Sequence, residues 1–452
     1  MTIVDQIKNR LNIIDVLGEY IQLKSAGANY KALCPFHQEK TPSLMVSQEK
    51  QIWHCFGCSL GGDVFEFVKQ IEGVDFPEAL RILAKKVGIE LKHQNPAEKR
   101  WWQKQQSQKS RLYEIMELAA QFWHLTLIKS PKAERARTYL ATRAISDLTQ
   151  DEFKLGWSVD EWRALCDFLL KRGFTAPEII SSGLAVKKIA GSQNVNYYDR
   201  FRGRLMFPIT DANSQIVGFG GRILEEQQDT AKYVNTPQTE IYNKSQILYG
   251  LDKAKTEIRK QNLAIIVEGY FDAISSHQAG VKNVIAVSGT ALTLEQIKLL
   301  KRWTKNIALA FDFDQAGIGA AVRSMEIASS LGMNIKAIKI PQGKDPDECI
   351  RDNPQSWQTA IKDAQSFIDY YFDIVCCGLN FSKLEDKKTA SSKLLAVISK
   401  IYDPIGQAHY LQKLSRLIKV REEDLRQAMN KLQNPNSKIQ TKSKFFVKHS
   451  KF

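Results

Sequence analysis

No apolar run in this 452-residue chain approaches the roughly 20 residues that a membrane helix requires. No secretory leader is expected either. Asp5, Lys8 and Arg10 interrupt the apolar Ile3, Ile7, Leu11 and Ile14, whose spacing predicts a core-facing helix instead. Cysteine is scarce. Of seven residues, three fall in a metal pattern, and Cys166, Cys349, Cys376 and Cys377 remain as ordinary thiols, so a disulfide framework is excluded and a cytoplasmic setting expected. No internal repeat is present. Hydrophobic residues make up 43%, which excludes a disordered chain, and the length leaves room for two to four domains with cores. Acidic residues are in deficit, 49 against 64 Lys and Arg, and the net charge of +15 favours a polyanionic partner, nucleic acid first.

Cys34-Pro-Phe-His37 and Cys55-Phe-Gly-Cys58 each bracket two residues. Each pair can present its ligands from one tight knuckle, and two knuckles supply the four corners of a tetrahedron suited to one structural Zn²⁺. With four protein ligands no position is left for a reactive water, so a structural or binding module is expected rather than a hydrolytic centre. Ile52-Trp53-His54 reads as a strand, Gly61-Gly62 as a turn, and Asp63-Val-Phe-Glu66 as a capping box opening a helix. Asp75-Phe-Pro-Glu78 opens a second helix with an apolar face of Ala79, Leu80, Ile82, Leu83 and Val87, which Gly88 ends.

Two polar stretches read as connections. Residues 93–110 join the zinc domain (1–92) to the rest, with Trp101-Trp102 either stacking on bases or docking on a neighbouring domain. Residues 434–452 carry five lysines and no acid and read as a basic disordered tail.

The second constellation begins with Leu263-Ala-Ile-Ile-Val267, an apolar run of the kind found in buried parallel strands, followed by Glu268-Gly-Tyr-Phe-Asp272. Three further runs end in Ser288-Gly289-Thr290, in Asp312-Phe-Asp314, and in Lys344-Asp345-Pro-Asp347. Helical segments separate them, which predicts a parallel sheet with its ligands at the carboxyl ends of the strands. That topology gathers Glu268, Asp312 and Asp314, with Asp345 and Asp347 near them. Clustered carboxylates need a cation, and hard oxygen ligands suit Mg²⁺ or Mn²⁺. Asp272 is either an outer ligand or a helix cap.

The Glu268 and Asp312-x-Asp314 motifs resemble the Toprim domain of primases, topoisomerases and some nucleases. The zinc pattern resembles the zinc domain of bacterial DNA primases. Between them stand Tyr198-Asp-Arg-Phe-Arg-Gly-Arg-Leu-Met-Phe-Pro208, Gly218-Phe-Gly-Gly-Arg222, Lys232-Tyr-Val-Asn235 and Tyr249-Gly250, also similar to that family. The order of these motifs over residues 1–430 is their most specific feature. The resemblance implies a multidomain α+β and α/β chain: the zinc ribbon, a basic subdomain (111–252), a Toprim domain (253–350) and a helical subdomain (351–433).

It further implies a DnaG-type primase, which makes short RNA primers from nucleoside triphosphates on single-stranded DNA, expected as a monomer away from membranes. Glu268, Asp312 and Asp314 form the expected catalytic core, holding two or more Mg²⁺ or Mn²⁺ ions together with Asp345 and Asp347. Arg200, Arg202 and Arg204 alternate and would share one face of a strand. With Arg143, Arg222, Lys232, Asn235 and Lys244 they are expected to hold template or nucleotide, and Lys24, Lys31 and Lys40 to contact phosphate from the zinc domain. Ala144 stands where the family usually has glycine after the arginine. A topoisomerase would need a further cleaving domain, and a nuclease leaves the zinc and arginine motifs unexplained. A helicase fusion would need a phosphate-binding G-x-x-x-x-G-K-[ST] loop, which is absent. A non-catalytic DNA-binding scaffold would not need the acidic residues. Family members continue into a helicase-binding domain. Residues 367–432 read as helical, with Tyr371, Phe372, Ile374 and Val375 as core candidates, and the stretch after Leu432 is too short and polar for a further domain. Contact with the replicative helicase is therefore expected to be weak or absent.

Overall fold

The computed structural model describes every residue except 1–2, 38, 40, 73, 75, 90–95, 189–195, 226–230, 288–290, 312–314, 341–344 and 434–452. The amino-terminal unit is a five-stranded antiparallel sheet in chain order, Lys24–Ala26, Asn29–Ala32, Leu44–Ser47, Ile52–Cys55 and Gly61–Gly62. Strict alternation along Ile52–Cys55 buries Trp53 and Cys55 and exposes Ile52 and His54, so only one face of the sheet is packed. That face rests on Ile7, Val16, Leu17, Phe65, Phe67 and Leu83 from the flanking helices. The first apolar stretch is two helices, Ile3–Arg10 and Ile13–Gly18, because the Asn12 side chain caps the second. Asp63 caps Val64–Glu72 by accepting from Phe65 and Glu66 N–H at 2.9 and 3.0 Å.

The expected linker continues into one 34-residue helix, Pro96–Lys129. Leu112, Ile115, Met116, Ala119, Trp123 and Leu127 recur at helical spacing and are buried. The Trp101 and Trp102 side chains and the tail lie outside the described residues.

The long helix packs on an antiparallel sheet ordered Tyr233–Asn235, Ile216–Ile223, Arg204–Thr210, Gly156–Ser158. A second sheet comes next, with four parallel strands ordered Val284–Ala286, Ala264–Val267, Asn306–Ala310, Asn334–Ala337, and antiparallel Gln365–Ser366 at its edge. The four parallel strands are those expected from the apolar runs. One buried cluster containing Phe207, Tyr270, Phe271 and Trp357 spans both sheets, so the basic and Toprim regions share a core. The zinc unit touches the Toprim region through Arg259, whose Nη2 donates to the Gln70 carbonyl at 3.0 Å and whose guanidinium lies 5.6 Å from the Phe36 ring.

Helices Phe367–Cys376, Leu384–Ile398, Pro404–Ile418 and Glu422–Gln433 complete the described chain. Phe372, Val375, Leu394, Leu395, Ile398, Leu411, Leu414 and Leu425 give them a core of their own. Tyr371 and Ile374 also reach the core behind the parallel sheet. Among the described residues no helix is long and apolar enough to cross a membrane.

The two sheets meet closely at Gly220, where an added Cβ would lie 2.5–2.6 Å from the Tyr270 ring. Gly220→Ala should therefore cost about 1–3 kcal/mol, seen as a lower unfolding midpoint of the core. Gly18→Ala, where a Cβ meets nothing within 4 Å, should leave it in place. An unchanged midpoint for Gly220→Ala would show that the Tyr270 ring moves aside freely.

Candidate functional site

The four expected zinc ligands converge. The ligand atoms of Cys34, His37, Cys55 and Cys58 lie within 4.8 Å of one another. Cys34 and Cys58 Sγ are 3.9 Å apart, and Cys55 Sγ and His37 Nδ1 3.7 Å. Sulfurs about 2.3 Å from a tetrahedral centre are separated by about 3.8 Å, so the donor set fits Zn²⁺. Burial pushes the Cys34 thiol up, so zinc binding must displace its proton.

Around the ligands stands a second layer that spacing did not reveal. Glu39 Oε2 lies 3.1 Å from His37 Nε2, which turns Nδ1 toward the sulfurs. Glu39 Oε1 accepts from the N–H groups of Cys34 and Ser43 at 2.7 and 3.1 Å. Although burial raises its pKa, these bonds and the Ser43 hydroxyl hold the Glu39 carboxyl below the usual range. A carboxylate two residues beyond the histidine was the available signal. Gly57 is required in the second knuckle because a Cβ there would lie 2.4 Å from His37 Nε2.

At the parallel sheet, Val267 and Ala310 are register partners, so Glu268 emerges beside the strand that leads to Phe311 and Asp312. Asp312 and Asp314 themselves lie outside the described residues. Asp345 is the N-cap of helix Pro346–Asp352, its Oδ1 accepting from Glu348 N–H at 2.7 Å. Asp272 is the helix cap of its two alternatives: Oδ2 accepts from Gly269 N–H at 2.8 Å. Burial first, and the nearby Asp345 charge second, push its carboxyl up to about 7.

Asp347 does not stand with the open acidic residues. It is fully buried, and Arg143, Arg351 and Ser275 engage its two oxygens. Arg143 and Ser275 lie far from Asp347 in the sequence, and the expectation of a metal ligand did not include these contacts.

The basic residues divide in the same way. Arg200 and Arg202 precede the strand rather than alternating along it, because Gly203 turns the backbone at φ +58° and the strand begins at Arg204. They still border one cleft of about 310 Å³ with Arg135 and Arg204. Arg204 is buried, and its Nη1 donates to the carbonyls of Gly221 and Ala231 at 3.2 and 3.1 Å, which makes it a clamp between strands. Arg200 Nε donates to the Gly183 carbonyl at 2.7 Å. Arg202 lies over Trp162, 4.3 Å from the ring centre.

Arg222 donates to Tyr233 Oη at 2.7 Å, and Asn235 Oδ1 accepts from Tyr270 Oη at 2.8 Å. Lys232 is exposed, and Lys244 is half-buried in the short turn Lys244–Gln246. Ala144 adopts φ +53°, so the turn after Arg143 forms without glycine.

Cys55→Ser should lose the metal, and unfolding should centre on the amino-terminal unit, since ligation energy in a small zinc module is folding energy. Elemental analysis showing full zinc in that variant would contradict the assignment.

Four family models match the chain in order: a CHC2 zinc finger over residues 1–99, the N-terminal domain of the DNA primase catalytic core over 122–255, a Toprim-like domain over 265–350, and the DnaB-helicase binding domain of primase over 368–423. The DNA primase of Clostridium acetobutylicum is 38% identical over 425 residues, 93% of this chain and 68% of that one. The zinc-binding and RNA polymerase domains of Aquifex aeolicus primase match 94% of this chain and 99% of that one, at 29% identity and a TM-score of 0.60. A DnaG primase catalytic domain bound to single-stranded DNA matches 70% of this chain and 99% of that one, at 30% identity and a TM-score of 0.59.

The helicase-binding match corrects two expectations: that this domain is missing, and that helicase contact is weak or absent. The expectation places such a domain after residue 432, whereas the match falls on the helical bundle that begins at Phe367, whose core is its own. With the zinc, core, Toprim and helicase-binding models in this order, and a relative of this identity spanned over two thirds of its length, the chain belongs to the bacterial DnaG-type DNA primases.

Proposed function

We propose that primer synthesis takes place at the carboxyl ends of the parallel strands, with Glu268, Asp312, Asp314 and Asp345 holding the divalent ions. The activity is DNA-templated RNA synthesis: a nucleotidyltransferase joins a 3′-hydroxyl to the α-phosphate of a nucleoside triphosphate and releases pyrophosphate. The observation that supports the site assignment is the register of Val267 with Ala310, which brings Glu268 to the same sheet end as Phe311, the residue that precedes the Asp312-x-Asp314 motif in the sequence. Bound Mg²⁺ or Mn²⁺ would lower the pKa of the attacking hydroxyl and neutralise charge on the leaving pyrophosphate.

The chain's own residues supply placement and charge. Arg202, Arg222, Lys232 and Lys244 present donors for phosphate oxygens of template or nucleotide. Asn235 is held against Tyr270, two residues from Glu268, so the basic sheet and the acidic site keep a fixed distance.

The open face of the zinc unit supports template binding. Register pairs align Lys24, Lys31, Met45, His54 and Gly61 in one row across the sheet. Phe56 is 73% exposed, and its ring lies 4.8 Å from that of His54. Lysines beside an exposed aromatic suit a single strand, whose phosphates need cations and whose bases stack. Lys40 lies outside the described residues. Helicase contact is assigned to the bundle matched over 368–423.

Glu268→Gln keeps the shape and removes a charge that would hold metal. It should abolish primer synthesis and leave template binding near the wild-type value in a filter or anisotropy titration. Synthesis with unchanged metal dependence would refute the site.

Arg202→Ala and Lys232→Ala should weaken template or nucleotide binding. If the lost contact is to template phosphate, the slope of log affinity against log salt should fall by about 0.7 for a single strand. Unaltered binding at every salt concentration would mark both residues as an ordinary solvated surface.

A further inference from the structure

Asp347 sits in the first turn of helix Pro346–Asp352, one residue inside the turn that Asp345 caps. Its Oδ2 accepts from Arg143 Nη1 and lies 3.3 Å from Arg351 Nε. Its Oδ1 accepts from the Ser275 hydroxyl. Its N–H donates to Asp272 Oδ1 at 3.3 Å, and Asp272 Oδ2 accepts from Gly269 N–H. Two guanidiniums and a hydroxyl thus occupy a carboxylate with no exposed surface. An ion could reach it only by displacing one of these arginines.

These contacts join three segments. Ser275 and Asp272 belong to helix Tyr270–Gln278, which begins two residues after Glu268. Asp347 belongs to the helix that Asp345 opens. Arg143 closes helix Glu134–Thr142 of the basic subdomain, and its guanidinium lies 5.0 Å from the Phe271 ring and 5.5 Å from that of Tyr139. Arg222 lies over the same two rings, at 5.6 and 5.0 Å. A displacement of Arg143 would therefore disturb both the acidic loops and one of the residues assigned to phosphate.

We infer that Asp347, Arg143 and Ser275 are positioning residues: their buried contacts fix the separation of Glu268 and Asp345, and Asp347 is not a metal ligand. This rests on the reading that Glu268 and Asp345 face divalent ions. Groups that orient metal ligands without touching the metal change affinity while leaving the number of ions unaltered.

The experiment is a Mn²⁺ titration of the whole chain followed by electron paramagnetic resonance, on wild type, Glu268→Gln, Arg143→Ala, Arg143→Lys, Ser275→Ala, Asp347→Asn and the Arg143→Ala/Asp347→Asn double variant. Arg143→Ala and Ser275→Ala should each weaken Mn²⁺ binding by about 10-fold or more with the stoichiometry kept. Arg143→Lys should recover part of the loss, and the double variant should be no weaker than Asp347→Asn alone. Should Asp347→Asn fail to fold, the Arg143 and Ser275 variants still decide. Wild-type affinity in Arg143→Ala and Ser275→Ala would overturn the inference, as would one fewer Mn²⁺ in Asp347→Asn. Failure of the underlying reading looks different: Glu268→Gln would bind Mn²⁺ as wild type does.

Discussion

The ring of Tyr270 holds the two halves of the molecule in register. It stacks on Phe207 at 4.9 Å with the ring planes 11° apart, meets Tyr249 edge-on at 4.7 Å, and ends in the hydrogen bond to Asn235. Phe207 and Asn235 belong to the antiparallel sheet, whereas Tyr270 opens the helix just after Glu268. The approach is possible only because Gly220 presents no side chain to the ring. Burying aromatic area here orients the basic residues against the carboxylates, which electrostatics alone cannot do at an exposed surface screened by salt.

The zinc unit obeys a different logic. Its fold depends on four ligands and their supporting hydrogen bonds, and its packed face is turned toward its helices. Docking through Arg259 uses Phe36 in the first knuckle and the Gln70 carbonyl, and Lys24, Lys31, His54 and Phe56 on the opposite face stay exposed. A ligand cluster of this kind positions a surface instead of performing chemistry, in contrast with the acidic loops of the parallel sheet.

What was legible in the sequence was local. The ligands of zinc lie within two short knuckles, and the parallel strands announce themselves as apolar runs ending in acidic residues. The long-range partnerships were not legible. Asp347 reads as one more acid in a motif, yet it is paired with an arginine 204 residues away and a serine 72 residues away. Arg200, Arg202 and Arg204 read as one strand face because alternation ignores the left-handed turn at Gly203. Arg204 then proved to be buried among carbonyls, an outcome that depends on the neighbouring strand. The carboxyl-terminal helices were anticipated, but their relation to the helicase was not, since composition alone does not say what a packed bundle binds.

Template-directed synthesis at the acidic loops is the proposed activity that the two sheets and the zinc unit together serve. Its most direct test is incorporation of labelled ribonucleotides by the purified chain on a single-stranded DNA of defined sequence, with each component withheld in turn. Short RNA products should appear only when template, nucleoside triphosphates and a divalent cation are all present. Chelation should abolish them, and added Mg²⁺ or Mn²⁺ should restore them. Products that form without template, or that persist under chelation, would contradict the proposed activity, as would a wild-type chain that yields none with every component supplied.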